Sequence, residues 1–303
     1  MSTIALSTMW GIKRFASFAD FFTAGEAAGF TCFELNHGVN SAMLDGVHLN
    51  GFRITSVHEP CPADMRPSEL SERGWLISAV DEEDRRHGVA AVRRSIDLAR
   101  ELGACAVIVH PGTVCMDESL ETKMRHLYRE GRRYSAEYAQ LMADMVAERA
   151  GRAPAHLAAV QRSIDELADY AAPRGVRLGL ENRDHYYEIP LIDELDELLS
   201  YGYGDTVGYW HDIGHAQKSE LKGYGPHEAW LTRFRDRMTG VHLHDLNGMD
   251  DHLAAGLGEM PWDLVARSLP TGIVRTCEFQ NFNSAEQVAA GLRFLEEHGL
   301  MEA

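Results

Sequence analysis

The chain has 303 residues, 45% of them hydrophobic and 25% charged, with a formal net charge of −17 at pH 7, the balance of an ordinary soluble globular protein. No run approaches the eighteen apolar residues of a membrane span, and a charge of this sign repels a polyphosphate backbone, which argues against nucleic acid as a partner. Cys32, Cys61, Cys105, Cys115 and Cys277 are an odd number without CxxC spacing, so neither a disulfide framework nor a cysteine-based zinc site is expected. The first residues run directly into a strand pattern with no leader-like segment, and the expected compartment is the cytoplasm.

Apolar strand-like runs alternate with helical patterns from end to end, as in a parallel sheet with crossover helices. In chain order the strands read 3–7, 31–35, 54–58, 105–110, 176–181, 207–212, 240–245 and 273–278. Eight is the number of a (β/α)8 TIM barrel, and residues 1–303 read as one such domain. Between strands, 89–102 carries Val92, Ile96, Ala99 and Leu102 at helical spacing, and 156–172 carries Leu157, Val160, Ile164, Leu167 and Ala171. Gly103, Gly175 and Gly299 stand where helices need a left-handed cap.

The connection after the fourth strand is too long for a plain loop. Residues 113–155 carry helical patterns of their own, at 120–131 and 135–150. An insertion that follows a strand's C-terminal end should overhang the face where barrels hold their active sites. A lid or a subunit contact is expected here, the latter implying a homodimer. Its Lys123, Arg125, Arg129, Arg132 and Arg133 read as a solvated helix face.

Six consecutive strand ends carry potential metal ligands: Val57-His58-Glu59-Pro60, Val109-His110-Pro111-Gly112, Leu180-Glu181-Asn182-Arg183, His211-Asp212-Ile213-Gly214-His215, His242-Leu243-His244-Asp245 and Cys277-Glu278-Phe279. The loop after the seventh strand adds Asp250, Asp251 and His252. A barrel gathers such residues at one mouth. Imidazole mixed with carboxylate oxygen suits Zn²⁺ or Mn²⁺ better than the all-oxygen shells of Mg²⁺ or Ca²⁺. Several carboxylates in one mouth coexist most readily around bound cations.

The ordered set V-H-E-P, V-H-P-G, G-L-E-N-R, H-D-I-G-H, H-L-H-D, D-D-H-x-x-x-G-x-G and C-E-F resembles the xylose isomerase-like barrel superfamily, which includes sugar isomerases, sugar epimerases and endonuclease IV. The resemblance covers nearly the whole chain, apart from the insertion. Carried over from endonuclease IV, it implies nine ligands for up to three zinc ions: His58, His110, Glu181, Asp212, His215, His242, Asp250, His252 and Glu278. Carried over from ketose epimerases, it implies one ion held by Glu181, Asp212, His242 and Glu278, with the two glutamates acting as acid and base. In both patterns the ligand stands three residues before an acid, which selects His242 rather than His244.

The expected cofactor is therefore a divalent metal, Zn²⁺ or Mn²⁺, with one to three ions. The expected reaction is isomerisation or epimerisation of a small carbohydrate-like substrate through an enediolate, with Glu181 and Glu278 as the proton-transfer pair. His215, Arg183, Glu34 and Trp10 are the expected substrate contacts, and His37 stands close enough in sequence to reach the same mouth. The alternative is an endonuclease IV-like, multinuclear zinc phosphoesterase.

Overall fold

The computed structural model of the chain describes residues 4–47 and 49–301. Eight parallel strands close into a barrel: β1 (Ile4–Ser7), β2 (Cys32–Leu35), β3 (Arg53–His58), β4 (Ala106–Val109), β5 (Arg177–Glu181), β6 (Val207–Asp212), β7 (Met238–Leu243) and β10 (Val274–Cys277). The remaining two, β8 (Asp245–Asn247) and β9 (Asp250–Leu253), form an antiparallel hairpin above the barrel. Around the ring the order is β1-β10-β7-β6-β5-β4-β3-β2. Thr3, the expected first residue of β1, lies outside the described residues.

Barrel strands are covered on both faces, which is why Ala106-Val107-Ile108-Val109 is apolar throughout and wholly buried. The helix Glu82–Leu102 lies outside the sheet and starts where the Asp81 carboxylate accepts from the Glu83 and Asp84 amides. It ends at Gly103 with φ 70°, a left-handed cap that favours glycine. The expected caps at Gly175 and Gly299 have φ 68° and 70°.

Two elements differ from those expected of the sequence. The helix expected at 156–172 is not separated from the insertion: Ala136–Ala171 is one continuous 36-residue helix through Pro154. Gly151 and Pro154 look like breakers, but the helix is anchored on either side of them, and beyond Pro154 the His156 Nδ1 donates to the Ser78 carbonyl at 2.8 Å. The buried Arg149 guanidinium donates to the Tyr186 and Glu188 carbonyl oxygens at 2.7 and 2.9 Å and pairs with Glu194, while Arg152 donates to the Cys115 carbonyl. The first insertion helix, Ser119–Arg129, lies near its expected place. Secondly, β7 stops at Leu243, and Asp245 opens the hairpin instead. The Asp245 carboxylate accepts from the Leu246, Gly256 and Met260 amides and from the Trp262 indole N–H.

Side chains of a strand alternate faces, so Trp210 and Asp212 both point inward from β6. Trp210 fills the barrel directly below the mouth, with its ring 5.3 Å from that of His242. Glycines on both neighbouring strands leave it room: a Cβ on Gly179 would lie 2.8 Å from the indole, and one on Gly240 2.2 Å from it. Among the described residues, no helix is long and apolar enough to cross a membrane.

Overpacking this layer should be destabilising. Gly240→Ala is expected to cost about 1–3 kcal/mol or more in urea unfolding; a wild-type midpoint would show that Trp210 is not braced by its neighbours.

Candidate metal centre

Four inward-facing groups meet where β5, β6, β7 and β10 end. The donor atoms of Glu181, Asp212, His242 and Glu278 all lie within 4.8 Å of one another, and all four residues are buried. His242 Nδ1 faces Glu181 Oε1 at 2.8 Å, Glu278 Oε2 at 3.3 Å and Asp212 Oδ2 at 3.7 Å. Its Nε2 points the other way and donates to the Glu34 carboxylate at 3.2 Å.

The electrostatics suit a cation. Burial alone would raise the carboxyl groups, yet Arg183 and then His110 hold Glu181 well below the usual carboxylate range, and His242 and His252 do the same for Glu278. Burial would lower His242, but Glu278 and Glu34 hold it well above the ordinary imidazole range. Three buried carboxylates thus converge on one ring nitrogen, whose proton lies among all three. A divalent ion would compete for the position of that proton, and one nitrogen with three oxygens fits Zn²⁺ or Mn²⁺. Glu34 behind the ring is the kind of partner that orients a ligating histidine.

Above this group lies a cavity of about 460 Å³ whose wall includes His37, His110, Arg183, Glu188, His215 and His252. The wall also carries Met9, Pro60, Leu70 and Leu76, so polar groups converge on one side and apolar ones cover another. Burial and the neighbouring His110 push His37 down to about 4.

A family model described as the xylose isomerase-like TIM barrel matches residues 22–298. The chain belongs to that family. An uncharacterized protein, y4fM, of Sinorhizobium fredii (strain NBRC 101917 / NGR234) is 26% identical over 223 residues, 72% of this chain and 57% of the relative. The chain therefore spans little more than half the length of that curated relative. Among solved structures, one titled as a D-tagatose 3-epimerase-like protein superposes with a TM-score of 0.68 at 19% identity, covering 98% of this chain and 97% of that one. An L-ribulose 3-epimerase superposes with a TM-score of 0.67 at 15% identity, covering 99% and 95%. At such identities the likeness is one of fold.

In this xylose isomerase-like barrel most of the expected ligands gather. His58 and His110 form a second group with Glu181, and Asp212, His215 and His252 form a third. His244 lies behind Asp212, with Nε2 3.1 Å from Oδ1. Asp212 also caps the helix Ile213–Lys222 by accepting from the His215 amide at 2.7 Å, and this cap turns His215 toward the cavity.

Three expected positions fall elsewhere. Asp250 is 83% exposed and pairs with Arg129 of the inserted helix at 3.4 Å; the hairpin turns its side chain away from the cluster. Glu34 does not line the cavity, because it sits a layer below the mouth, fully buried, accepting from Ser56 Oγ at 2.7 Å as well as from His242. Trp10 is core: it is fully buried, its Nε1 donates to the Asn283 carbonyl, and its ring packs edge-on against Phe15 and Phe21.

Sequence reasoning overlooked Glu59 and Glu188. The Glu59 carboxylate accepts from the His110 amide at 3.0 Å. Glu188 pairs with the Arg183 Nε at 3.1 Å. Their signal was position alone, since both stand in loops that leave the C-terminal ends of strands.

A chain of buried ion pairs ties the helix Ser119–Arg129 to this mouth. Lys222 Nζ lies 2.9 Å from Glu121 Oε1 and 3.2 Å from Asp184 Oδ2, while Lys218 Nζ lies 2.9 Å from Asp184 and 2.7 Å from Asp251. Glu121 belongs to Ser119–Arg129 and also accepts from the Tyr186 amide at 2.8 Å. Against the upward push of burial, His185 and Lys222 lower the Glu121 carboxyl, and Lys222 and Lys218 hold Asp184 well below its usual range.

Removing one partner leaves buried charge uncompensated, so Lys222→Met is expected to cost about 3–5 kcal/mol in urea unfolding. Carboxyls depressed in the folded state leave the unfolded chain binding more protons. Their stabilisation is therefore complete above the ordinary carboxylate range and is lost as pH falls through it. Wild-type unfolding free energy should decline on acidification from pH 6 to pH 3, and a flat profile would remove these pairs from the stability of the fold.

Proposed function

We propose that the chain is a divalent-metal-dependent isomerase or epimerase of a small sugar or sugar-derived substrate, acting through an enediolate. The observation that carries this reading is the placement of Glu181 and Glu278 on two sides of His242 Nδ1, at 2.8 and 3.3 Å, beneath a cavity of about 460 Å³. When bound there, Zn²⁺ or Mn²⁺ supplies Lewis-acid polarisation of a carbonyl and its neighbouring hydroxyl.

The residues of the chain do the rest. Glu181 and Glu278 rise from strands separated around the ring by β6 and β7, so they approach a bound carbon from different sides. One takes the proton from the carbon beside the carbonyl and the other returns it. His215 and the outer edge of Arg183 line the cavity and orient hydroxyl groups. The buried floor formed by Trp210 and His242 keeps bulk water below the reacting atoms away. The epimerase names of similar solved folds are consistent with this chemistry.

An endonuclease IV-like phosphoesterase is less well supported. It calls on the outer ligands, of which Asp250 faces Arg129, and a net charge of −17 repels DNA.

The test is carbon-bound proton exchange. Protein loaded with Mn²⁺ and incubated with a panel of ketoses in D₂O should place deuterium on the carbon beside the carbonyl. A chelator should stop the exchange and Mn²⁺ restore it. Glu181→Gln and Glu278→Gln should each slow it by about 10²-fold or more. Hydrolysis of phosphodiesters with no exchange into any ketose would overturn the proposal.

A further inference from the structure

The second ligand group, His58, His110 and Glu181, shares Glu181 with the central one, and its hydrogen bonds show how it is filled. The His58 Nδ1–H donates to the Glu59 carbonyl at 3.2 Å, which leaves the Nε2 lone pair facing Glu181 Oε2 at 3.7 Å. His110 Nε2 lies 2.6 Å from the same oxygen. Arg183 Nη1 lies 2.8 Å from His110 Nε2 and 2.7 Å from Glu181 Oε2. A guanidinium nitrogen bears hydrogens and no lone pair, so a donor-only cationic group stands against both His110 Nε2 and Glu181 Oε2. Two of the three atoms that a second ion would need, on His110 and Glu181, therefore already face a cationic side chain.

The guanidinium is built into that position. Glu188 holds its Nε at 3.1 Å, and the Glu188 amide is fixed in turn by the His185 carbonyl. Arg183 is 16% exposed, and its charge is not removable at any ordinary pH. The third group, Asp212 with His215 and His252, is also compromised as a cation site. Asp212 Oδ1 already accepts from the His215 amide at 2.7 Å and lies 3.1 Å from His244 Nε2.

We infer that Arg183 stands in for a second metal ion, so that the mouth takes a single divalent cation at Glu181, Asp212, His242 and Glu278 and would take two if the guanidinium were removed. This rests on the central four residues holding an ion, as proposed above. It gives Arg183 a role that a substrate clamp does not need: it neutralises Glu181 Oε2 and takes the place beside His110 Nε2 where an ion would stand. The substrate would then meet one metal and one fixed organic cation side by side.

The test counts metal. Full-length protein is stripped with chelator, saturated with Mn²⁺, freed of excess and analysed for Mn per chain, with electron paramagnetic resonance recorded on the same samples. Wild type should bind one ion with the spectrum of an isolated Mn²⁺. Arg183→Met should bind two, with a spectrum broadened by coupling between ions that share Glu181. Arg183→Met combined with His110→Gln should return to one. His110→Gln alone, which leaves Arg183 in place, should still bind one, which tests the location of that ion at the central four residues even if Arg183→Met fails to fold. Two ions in wild type, one in a folded Arg183→Met, or none in His110→Gln would each overturn the inference. Wild type that binds no ion would sink the metal-centre reading with it, whereas wild type that binds two would leave that reading standing.

Discussion

Three carboxylates closed around one imidazole nitrogen are the constraint on which the mouth of this barrel depends. Glu181, Asp212 and Glu278 are buried and turned toward His242 Nδ1, an arrangement that is costly without positive charge inside it. Nitrogen-bearing side chains surround them. Arg183 and His110 approach Glu181 from one flank, His252 approaches Glu278 from another, and His244 supports Asp212 from behind. Glu34 fixes the far edge of the His242 ring, so the inner nitrogen has one direction in which to point.

That convergence comes from strand geometry rather than from any single loop. With a period of two, the residue that follows Trp210 inward is Asp212, and the one that follows Gly179 is Glu181. Gly240 stands in the same way below His242. Small residues on β5 and β7 surround one large indole on β6, and the functional groups stand on the packed floor this makes. The hairpin Asp245–Asn247 and Asp250–Leu253 then brings His252 over the rim, with Asp245 tying its base to four donors.

The strand endings were legible in the sequence because an apolar lead-in marks each strand and the fold brings its C-terminal ends together. Glu181, Asp212, His242 and Glu278 needed no more than that. Depth was not legible. Glu34 also closes a strand, but it pairs in register with Ser56, a layer beneath His58, and the stagger between strands cannot be counted from a single chain. Asp250 was misplaced for a different reason: it lies in a hairpin, where the direction of a side chain follows its partner, here Arg129 from a distant segment. Trp10 looked like a substrate contact only while the aromatic cluster of Phe15 and Phe21 around it was unknown. The continuity of Ala136–Ala171 was hidden by local propensity, since Gly151 and Pro154 argue for a break that Arg149 and Arg152 overrule.

That long helix also shows how a wall can stand on a barrel without disturbing its core. At about 1.5 Å per residue it runs roughly 54 Å, well beyond the turns that pack against the sheet. Growth at an existing helix end adds one backbone hydrogen bond with each residue ordered and avoids the entropic cost of closing a separate loop. The outer turns behave as a cantilever rooted in the scaffold, from which the shorter helix Ser119–Arg129 hangs. Variation in that overhang offers a route to reshape the approach to the mouth while the cylinder beneath it stays the same.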